Sequence, residues 1–213
     1  MSCSFDLRHY RALLQAAQTG GYRFATFDEA PVPGALFLRH DVDLSLDAAL
    51  TMAEVEAELE ATTTYLLMTE SVFYNLASSE GEAAIARLRD LGQRVGLHAV
   101  HPNAVLDDRF DAVVAWHNPS PEYMSAPIAG AVNAYAESHF APATYRSDSN
   151  QHWRSGCPHD ELRVGAFPWL QLLVHPEIWV YPGETMGETM RAMLAAEGVR
   201  RLDQLAADGI ELE

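Results

Sequence analysis

The stretch "ALFLRHDVDLSLDAAL" (residues 35–50) joins an apolar run directly to a helical pattern. The run "ALFL" is typical of a strand that is buried on both faces. After Ser45 the apolar residues recur at helical spacing, which predicts an amphipathic helix. A buried strand that passes into a helix is the repeating unit of a parallel α/β fold. Residues 35–50 therefore indicate an α/β protein, and "RHDVD" places four ionisable side chains where the strand ends.

The same alternation continues along the chain. Apolar or β-branched runs predict five more strands, at residues 62–68, 94–100, 110–119, 142–148 and 168–176. Helical spacing predicts helices at residues 5–20, 45–61, 79–92, 187–198 and 199–209. Because strands alternate with helices, most of the strands should be parallel. The length of the chain predicts one compact domain over residues 1–213.

The composition excludes several classes of protein. A content of 48% hydrophobic and 21% charged residues is typical of a globular chain. The net charge of −16 disfavours nucleic acid or an anionic membrane as a partner, because both require a basic surface, whereas a neutral small molecule or a metal ion is compatible. No apolar run is long enough to span a membrane and the N-terminus has no signal pattern, so we expect a cytoplasmic protein. The two cysteines, Cys3 and Cys157, form no spacing motif.

Histidine or aspartate follows the apolar part of five predicted strands. The endings are "RHDVD", "LHAVH", "WHNP", "YRSDS" and "VHP". In open α/β sheets and in α/β barrels, ligands bind at the carboxyl ends of the strands. The repetition over five strands therefore predicts a functional site at that edge of the sheet.

The two carboxylates of "RHDVD" share one face of the strand with Arg39, because alternate side chains of a strand point the same way. Asp41 and Asp43 would repel each other unless a cation lies between them or their roles differ. A divalent metal bound by one, with the other free as a base, satisfies this constraint. Alternatively, Asp43 caps the helix that starts near Ser45, and Asp41 pairs with Arg39. The residues alone leave both interpretations open.

Four histidines are candidates for metal binding or acid–base chemistry. His98 ends a strand and His101 follows three residues later, so both can bind one ion only if the chain turns after His98. His117 ends the next strand and competes with His101 for a third ligand position. Two histidines and one aspartate, with positions open to water and substrate, are the usual arrangement of a catalytic divalent metal. His175 ends the last strand and is a candidate general acid. For each histidine the alternative is a hydrogen-bonded core or rim residue.

The segment "YRSDSNQHWRSGCPHD" (residues 145–160) is rich in polar residues and predicts a loop. Arg146, Asp148 and Trp153 resemble a sugar-binding surface, where an aromatic face stacks on the ring and carboxylates accept hydrogen bonds from hydroxyls. Arg39 joins them as a candidate substrate-binding residue. The alternative is a solvated loop with Trp153 packed inward.

In this order, the motifs resemble those of the polysaccharide deacetylase superfamily, which carries a chitooligosaccharide-deacetylase homology domain. The matching segments are "RHDVD", "TTTYLLM", "VGLHAVHP", "WHNP", "RSDSNQHWRSG" and "LLVHPEIW", and they span roughly residues 22 to 181. The chain is most similar to the divergent branch in which "RHDVD" replaces the usual Thr-Phe-Asp-Asp-Gly.

The resemblance implies a single-domain, distorted (β/α) barrel of about seven strands that holds a divalent metal, often zinc. It implies that Asp41 is the base, that Asp43 and His98 are metal ligands, and that His175 is the acid. In most members the second histidine of the His98 motif falls one residue later than His101 does here. The third ligand is therefore His101 or His117.

The implied activity is metal-assisted hydrolysis of an acetyl amide or ester on a sugar or polysaccharide precursor. The third motif of the family, Arg-x-Pro-Tyr, is replaced by "RSDSNQHW", so we expect a substrate groove that differs from those of chitin and peptidoglycan deacetylases. Two alternatives stay open. One is a barrel that binds a saccharide or a metal without turnover, and the other is a metal-dependent hydrolase of another small amide or ester.

Overall fold

A computed structural model of the protein describes residues 3–101 and 104–211. Over these residues, eight strands and six α-helices form a mixed α/β structure. The strands are β1 (Arg23–Phe24), β2 (Ala35–Val42), β3 (Thr64–Leu67), β4 (Arg94–Ala99), β5 (Val113–Trp116), β6 (Val132–Asn133), β7 (Tyr145–Ser147) and β8 (Leu170–Val174). The helices are α1 (Leu7–Thr19), α2 (Leu46–Glu58), α3 (Ser79–Asp90), α4 (His159–Arg163), α5 (Pro176–Val180) and α6 (Met186–Ala207).

The strands form one curled sheet in the order β6-β5-β4-β3-β2-β8-β7, and β1 pairs with the first residues of β2. All of these pairings are parallel. The seven strands of the main path form a half-barrel, which is compatible with a (β/α) barrel-like fold. The α/β class and the predominance of parallel strands, both predicted above, are confirmed. Because the strands are parallel, their carboxyl ends meet at one edge.

Strand β2 lies in the middle of the sheet and all eight of its residues are buried. Leu38 points to one face, where it belongs to the core formed with α1 and α5. Phe37 points to the other face, where its ring lies 5.4 Å from that of Phe27. The two faces thus follow the predicted alternation, and a strand covered on both sides explains why the run is continuously apolar.

Helix α6 corrects one prediction. The sequence predicts separate helices at residues 187–198 and 199–209, because Gly198 is a typical helix end. The structure has one helix of 22 residues instead. A glycine inside a helix costs only about 1 kcal/mol, and Arg200 anchors the second half through ion pairs with Asp47 and Glu80.

Strands β1 and β6 have two residues each and were not predicted, because so short a segment carries no alternation of its own. None of the helices in the described part of the chain has both the length and the apolar composition needed to cross a bilayer.

Candidate metal centre

Asp43 lies in the short connection between β2 and α2, immediately after the buried strand. The helix is capped by Ser45, whose Oγ accepts a hydrogen bond of 3.2 Å from the backbone N–H of Ala48. Asp43 is therefore not the capping residue. Its side chain instead faces the carboxyl ends of the neighbouring strands, where His98 of β4 and His117, which follows β5, are located.

Asp43, His98 and His117 form a compact group of three ligand atoms. Oδ1 of Asp43 lies 3.2 Å from Nε2 of His98 and 3.5 Å from Nδ1 of His117. The two ring nitrogens are 3.3 Å apart. His98 is in β4 and His117 directly follows β5, and the pairing of these strands brings the two side chains to one place.

Hydrogen bonds on the far side of each ring fix which nitrogen faces the group. Nδ1 of His98 donates to the backbone carbonyl of Ala115 at 3.2 Å, which leaves Nε2 with its lone pair towards Asp43. Nδ2 of Asn118 lies 3.1 Å from Nε2 of His117, so Nδ1 is the nitrogen that faces the group. The contact at His98 is typical of a metal-binding histidine because it sets the tautomer and the ring orientation. At His117 the amide N–H donates to Nε2, so a metal bound at Nδ1 requires the amide to turn until its oxygen accepts from Nε2–H.

The electrostatics of the group keep its carboxylate ionised. Burial raises the pKa of Asp43, but close polar contacts with His117 and His98 outweigh burial and hold this pKa well below its usual range. The contact with Asp43 in turn raises the pKa of His117, against the opposite effect of burial. Oδ1 of Asp43 is closed off from solvent and has no well-aligned hydrogen bond to any described residue.

These three residues fit a divalent cation. Bonds of about 2.0–2.1 Å at tetrahedral angles place neighbouring ligand atoms about 3.3–3.4 Å apart. The three observed separations of 3.2, 3.3 and 3.5 Å agree with that spacing. One carboxylate and two imidazoles are a ligand set that suits zinc. With three protein ligands, such an ion keeps at least one position open for water or substrate.

Asp41 lies directly behind this group. Its Oδ2 is 3.7 Å from Nε2 of His98 and accepts a hydrogen bond of 3.0 Å from Nη2 of Arg39. Its Oδ1 is buried and has no hydrogen-bond partner within residues 3–101 and 104–211. The pairing with Arg39, one of the two interpretations left open by the sequence, is thus present, and Asp41 also lies beside the candidate ligands.

Arg39 is fully buried and does not line the pocket described below. Its guanidinium group donates to the hydroxyl of Tyr135 at 2.6 Å and lies 4.3 Å from the centre of that ring. It also donates to Oε1 of Gln171 at 3.3 Å. The guanidinium therefore holds the Asp41 carboxylate from behind, whereas the sequence suggested a contact with substrate.

His175 lies at the carboxyl end of β8 and is held by Asp148, which is fully buried. Nδ1 of His175 donates to Oδ1 of Asp148 at 2.6 Å. Oδ2 of Asp148 accepts hydrogen bonds from the backbone N–H of His175 at 3.0 Å and from Nε1 of Trp179 at 2.7 Å. Burial lowers the pKa of His175, but the charge of Asp148 and its hydrogen bond outweigh burial and raise this pKa to about 10.

A pocket of about 420 Å³ brings these groups to one surface. Asp43, His117 and His175 line it, together with Glu177 and the apolar side chain of Phe73. Glu177 is 1% exposed, and its Oε2 has no hydrogen-bond partner in the part of the chain that the structure describes. Burial raises the pKa of Glu177 to about 7, which nearby His175 only partly offsets.

The remaining candidate residues lie elsewhere. His101 is exposed, with Nε2 3.8 Å from Oε2 of Glu70, and it does not belong to the three-residue group. Arg146 and Trp153 line a second pocket of about 360 Å³ that shares Ser149 with the first. Trp153 is 6% exposed and packs inward, which was the alternative that the sequence left open.

Sequence reasoning missed Glu177 and Phe73 as pocket residues, and it gave Asp148 a different role. Glu177 could have been noticed, because an acidic residue two positions after His175 interrupts an otherwise apolar segment, "LLVHPEIW". Phe73 lies in the loop after β3, where no local pattern predicts which way a side chain points. The pairing of Asp148 with His175 joins the residues that directly follow β7 and β8, two strands whose adjacency the sequence does not show.

The chain matches no protein-family model, no curated protein and no solved structure in the comparisons made. The resemblance to the polysaccharide deacetylase superfamily therefore rests on the motifs quoted above. The candidate metal centre rests on the positions of Asp43, His98 and His117.

Proposed function

We propose that this protein is a metal-dependent hydrolase that removes an acetyl group from a saccharide. The observation that carries the proposal is the arrangement of three kinds of group around one pocket. Asp43 and His117 belong to the group of candidate metal ligands and Asp41 lies behind that group. His175 lies on the pocket wall and is held by the buried carboxylate of Asp148. Hydrolysis of an amide or ester needs these three functions, namely polarisation of the carbonyl, a base and an acid.

The metal would be held by Asp43, His98 and His117. A bound divalent ion polarises a carbonyl, stabilises the oxyanion and lowers the pKa of water. The ionised state of Asp43 and the outward hydrogen bond of His98 prepare both side chains for that role without rearrangement. Zinc is the ion that best suits one carboxylate with two imidazoles.

Asp41 is the proposed base. Its unpartnered Oδ1 can accept the proton of the attacking water, while Oδ2 stays fixed by Arg39. The buried guanidinium prevents the carboxylate from rotating and offsets the cost of a second negative charge close to Asp43. Positioning of this kind is worth several orders of magnitude in rate, because a base must lie within hydrogen-bond reach of its proton.

His175 is the proposed acid. Because its pKa is raised to about 10, it carries a proton at neutral pH. Nδ1 donates its hydrogen bond to Asp148, so Nε2 is the nitrogen that can protonate the leaving atom, which is the amine nitrogen of an amide or the alcohol oxygen of an ester. The carbon–nitrogen or carbon–oxygen bond then breaks as this proton transfers, and acetate and the deacetylated sugar are released.

The pocket suits an uncharged sugar. Phe73 supplies an aromatic side chain against which a sugar ring can pack. Glu177 and Asn118 supply acceptors and donors for hydroxyl groups. The net charge of −16 disfavours a polyanionic substrate.

The test is acetate release from acetylated oligosaccharides and nucleotide sugars by the zinc-loaded protein. We expect turnover by the wild type and a loss of about 10²–10⁴-fold in kcat for Asp41→Asn and for His175→Gln, since general acid or base catalysis contributes about that much. His101→Gln is the matched control, because this histidine is exposed and lies outside the ligand group. No acetate release from any acetylated substrate by the metal-loaded wild type would overturn the proposal.

A second candidate function is saccharide binding without turnover. The observation that favours it is the burial of Asp41, which is 3% exposed and does not line the pocket. Calorimetric binding of an acetylated saccharide without acetate release would support this function.

The apolar pocket residues Met68 and Ile178 also suit a different small amide or ester as the substrate of a hydrolase, which a screen over acyl groups would detect.

A further inference from the structure

A second cluster of metal-ligating side chains lies away from the candidate metal centre. Cys3 precedes α1, His9 is in the first turns of α1, and Cys157 lies in the loop before α4. One ligand atom from each of the three lies within 4.8 Å of the other two. Nε2 of His9 is 3.2 Å from Sγ of Cys157, across 148 positions of the chain.

We propose that Cys3, His9 and Cys157 form a second metal site that binds a thiophilic ion such as zinc(II). Two thiolates and an imidazole are a recognised zinc set, with water or one further ligand in the fourth position. Soft sulfur ligands favour zinc over magnesium or calcium. The site is distinct from the Asp43 group and does not depend on the proposed hydrolase activity.

The geometry requires only a small adjustment. Sulfur and nitrogen ligands of one tetrahedral zinc lie about 3.5–3.8 Å apart. The distances between the three ligand atoms, which are at most 4.8 Å, would therefore change by about 1 Å or less when an ion binds. Cys3 precedes the first helix and the loop of Cys157 precedes α4, so both thiols lie on segments outside the regular elements. His9 is 6% exposed and is held in place by the helix.

The surroundings of the sulfurs support a ligand role. Nε1 of Trp153 donates a hydrogen bond of 3.2 Å to Sγ of Cys3, so this sulfur already acts as an acceptor. Hydrogen bonds of this type stabilise a metal-bound thiolate. His159 lies at the edge of the cluster, with its ring centre 5.8 Å from that of His9, but it is not one of the three residues whose ligand atoms lie within 4.8 Å of one another.

Such a site would also support the candidate acid. Trp153 packs with its ring centre 6.2 Å from those of both Phe5 and Trp179. Trp179 in turn donates to Asp148, the partner of His175. An ion at Cys3 and Cys157 would therefore fix the start of the chain against the layer that holds Asp148.

The experiment titrates cobalt(II) into the reduced full-length chain under anaerobic conditions. Only a thiolate ligand gives the intense sulfur-to-cobalt charge-transfer absorption in the near ultraviolet, so the measurement does not detect the Asp43 group. We expect the band in the wild type and in Asp43→Asn, and its loss in Cys157→Ser and Cys3→Ser. Bound zinc should fall by one equivalent in each cysteine variant.

Cys3→Ser guards against misfolding as an explanation, because Cys3 lies outside every helix and strand, and circular dichroism verifies that the fold is intact. A wild type without the band, or a band that persists in Cys3→Ser, would overturn the proposal. Both results concern cobalt absorption and bound zinc, whereas the proposed hydrolase is judged by acetate release, so failure here is distinguishable from failure of the proposed hydrolase.

Discussion

At the scale of single residues, the partner of a side chain determines its chemistry more than its place in the sequence does. His175 and His101 both follow a strand, yet only His175 is given a buried carboxylate as its partner. Asp148 was interpreted from the sequence as a substrate-binding residue, because a loop aspartate carries no sign of what it contacts. In the structure it is fully buried and accepts a hydrogen bond from His175 instead.

The pair of His175 and Asp148 predicts a specific dependence on pH. The pKa of His175 is raised to about 10 from an ordinary value of 6.5, so the pair stabilises the fold fully below about pH 6.5 and loses this effect as the pH rises through 10. Asp148→Asn should lower the pKa of His175 from about 10, since it removes the largest charge and the hydrogen bond that oppose burial, while Glu177 and Asp41 remain nearby.

This variant should cost about 3–5 kcal/mol at pH 6 and less at pH 10, because at pH 6 it loses the full stabilisation that the ion pair gives the wild type, whereas near pH 10 most of that stabilisation is already lost. The measurements are an NMR titration of His175 in metal-free protein and urea unfolding at both pH values. Titration of wild-type His175 near 6.5 would show that the pair does not behave as described.

At the scale of elements, α2 is fixed to the sheet by a buried polar cluster. Glu56 of α2 is fully buried and accepts hydrogen bonds from the hydroxyls of Tyr10, Thr63 and Tyr65. It also lies 2.6 Å from Nε2 of His40, which is on the face of β2 opposite to Asp41. The helix that follows the "RHDVD" motif is therefore held to its own strand and to the next one.

Removal of this carboxylate should destabilise the protein strongly. Glu56→Ala leaves several buried donors without partners, which predicts a loss of about 3–5 kcal/mol in the free energy of unfolding. Glu58→Ala is the control on the same helix, since Glu58 is exposed and pairs with Arg11 at the surface, and it should cost at most about 1 kcal/mol. Urea unfolding of both variants measures the difference, and equal losses would contradict this role of Glu56.

At the scale of the whole molecule, local sequence patterns predict which polar side chains lie at the carboxyl end of each strand. Alternation along β2 places Asp41 and Asp43 together, and the ends of β4, β5 and β8 supply His98, His117 and His175. These are the residues that the structure brings around one pocket or directly behind it.

The sequence does not predict which strands are neighbours or which way a loop turns. The choice between His101 and His117 depends on the turn after β4 and on the adjacency of β4 and β5. The same limit applies to Trp153, whose inward packing depends on the start of the chain lying against its loop. For the same reason the sequence does not predict the cluster that contains Cys3 and Cys157, which are 154 positions apart.

The most direct test of the candidate metal centre counts bound zinc in purified variants by mass spectrometry. Asp43→Asn and His117→Gln should each bind one equivalent less than the wild type, because each removes one of three ligands. His101→Gln should bind as much zinc as the wild type. Equal zinc in the wild type, Asp43→Asn and His117→Gln would contradict the assignment of Asp43, His98 and His117 as the metal centre.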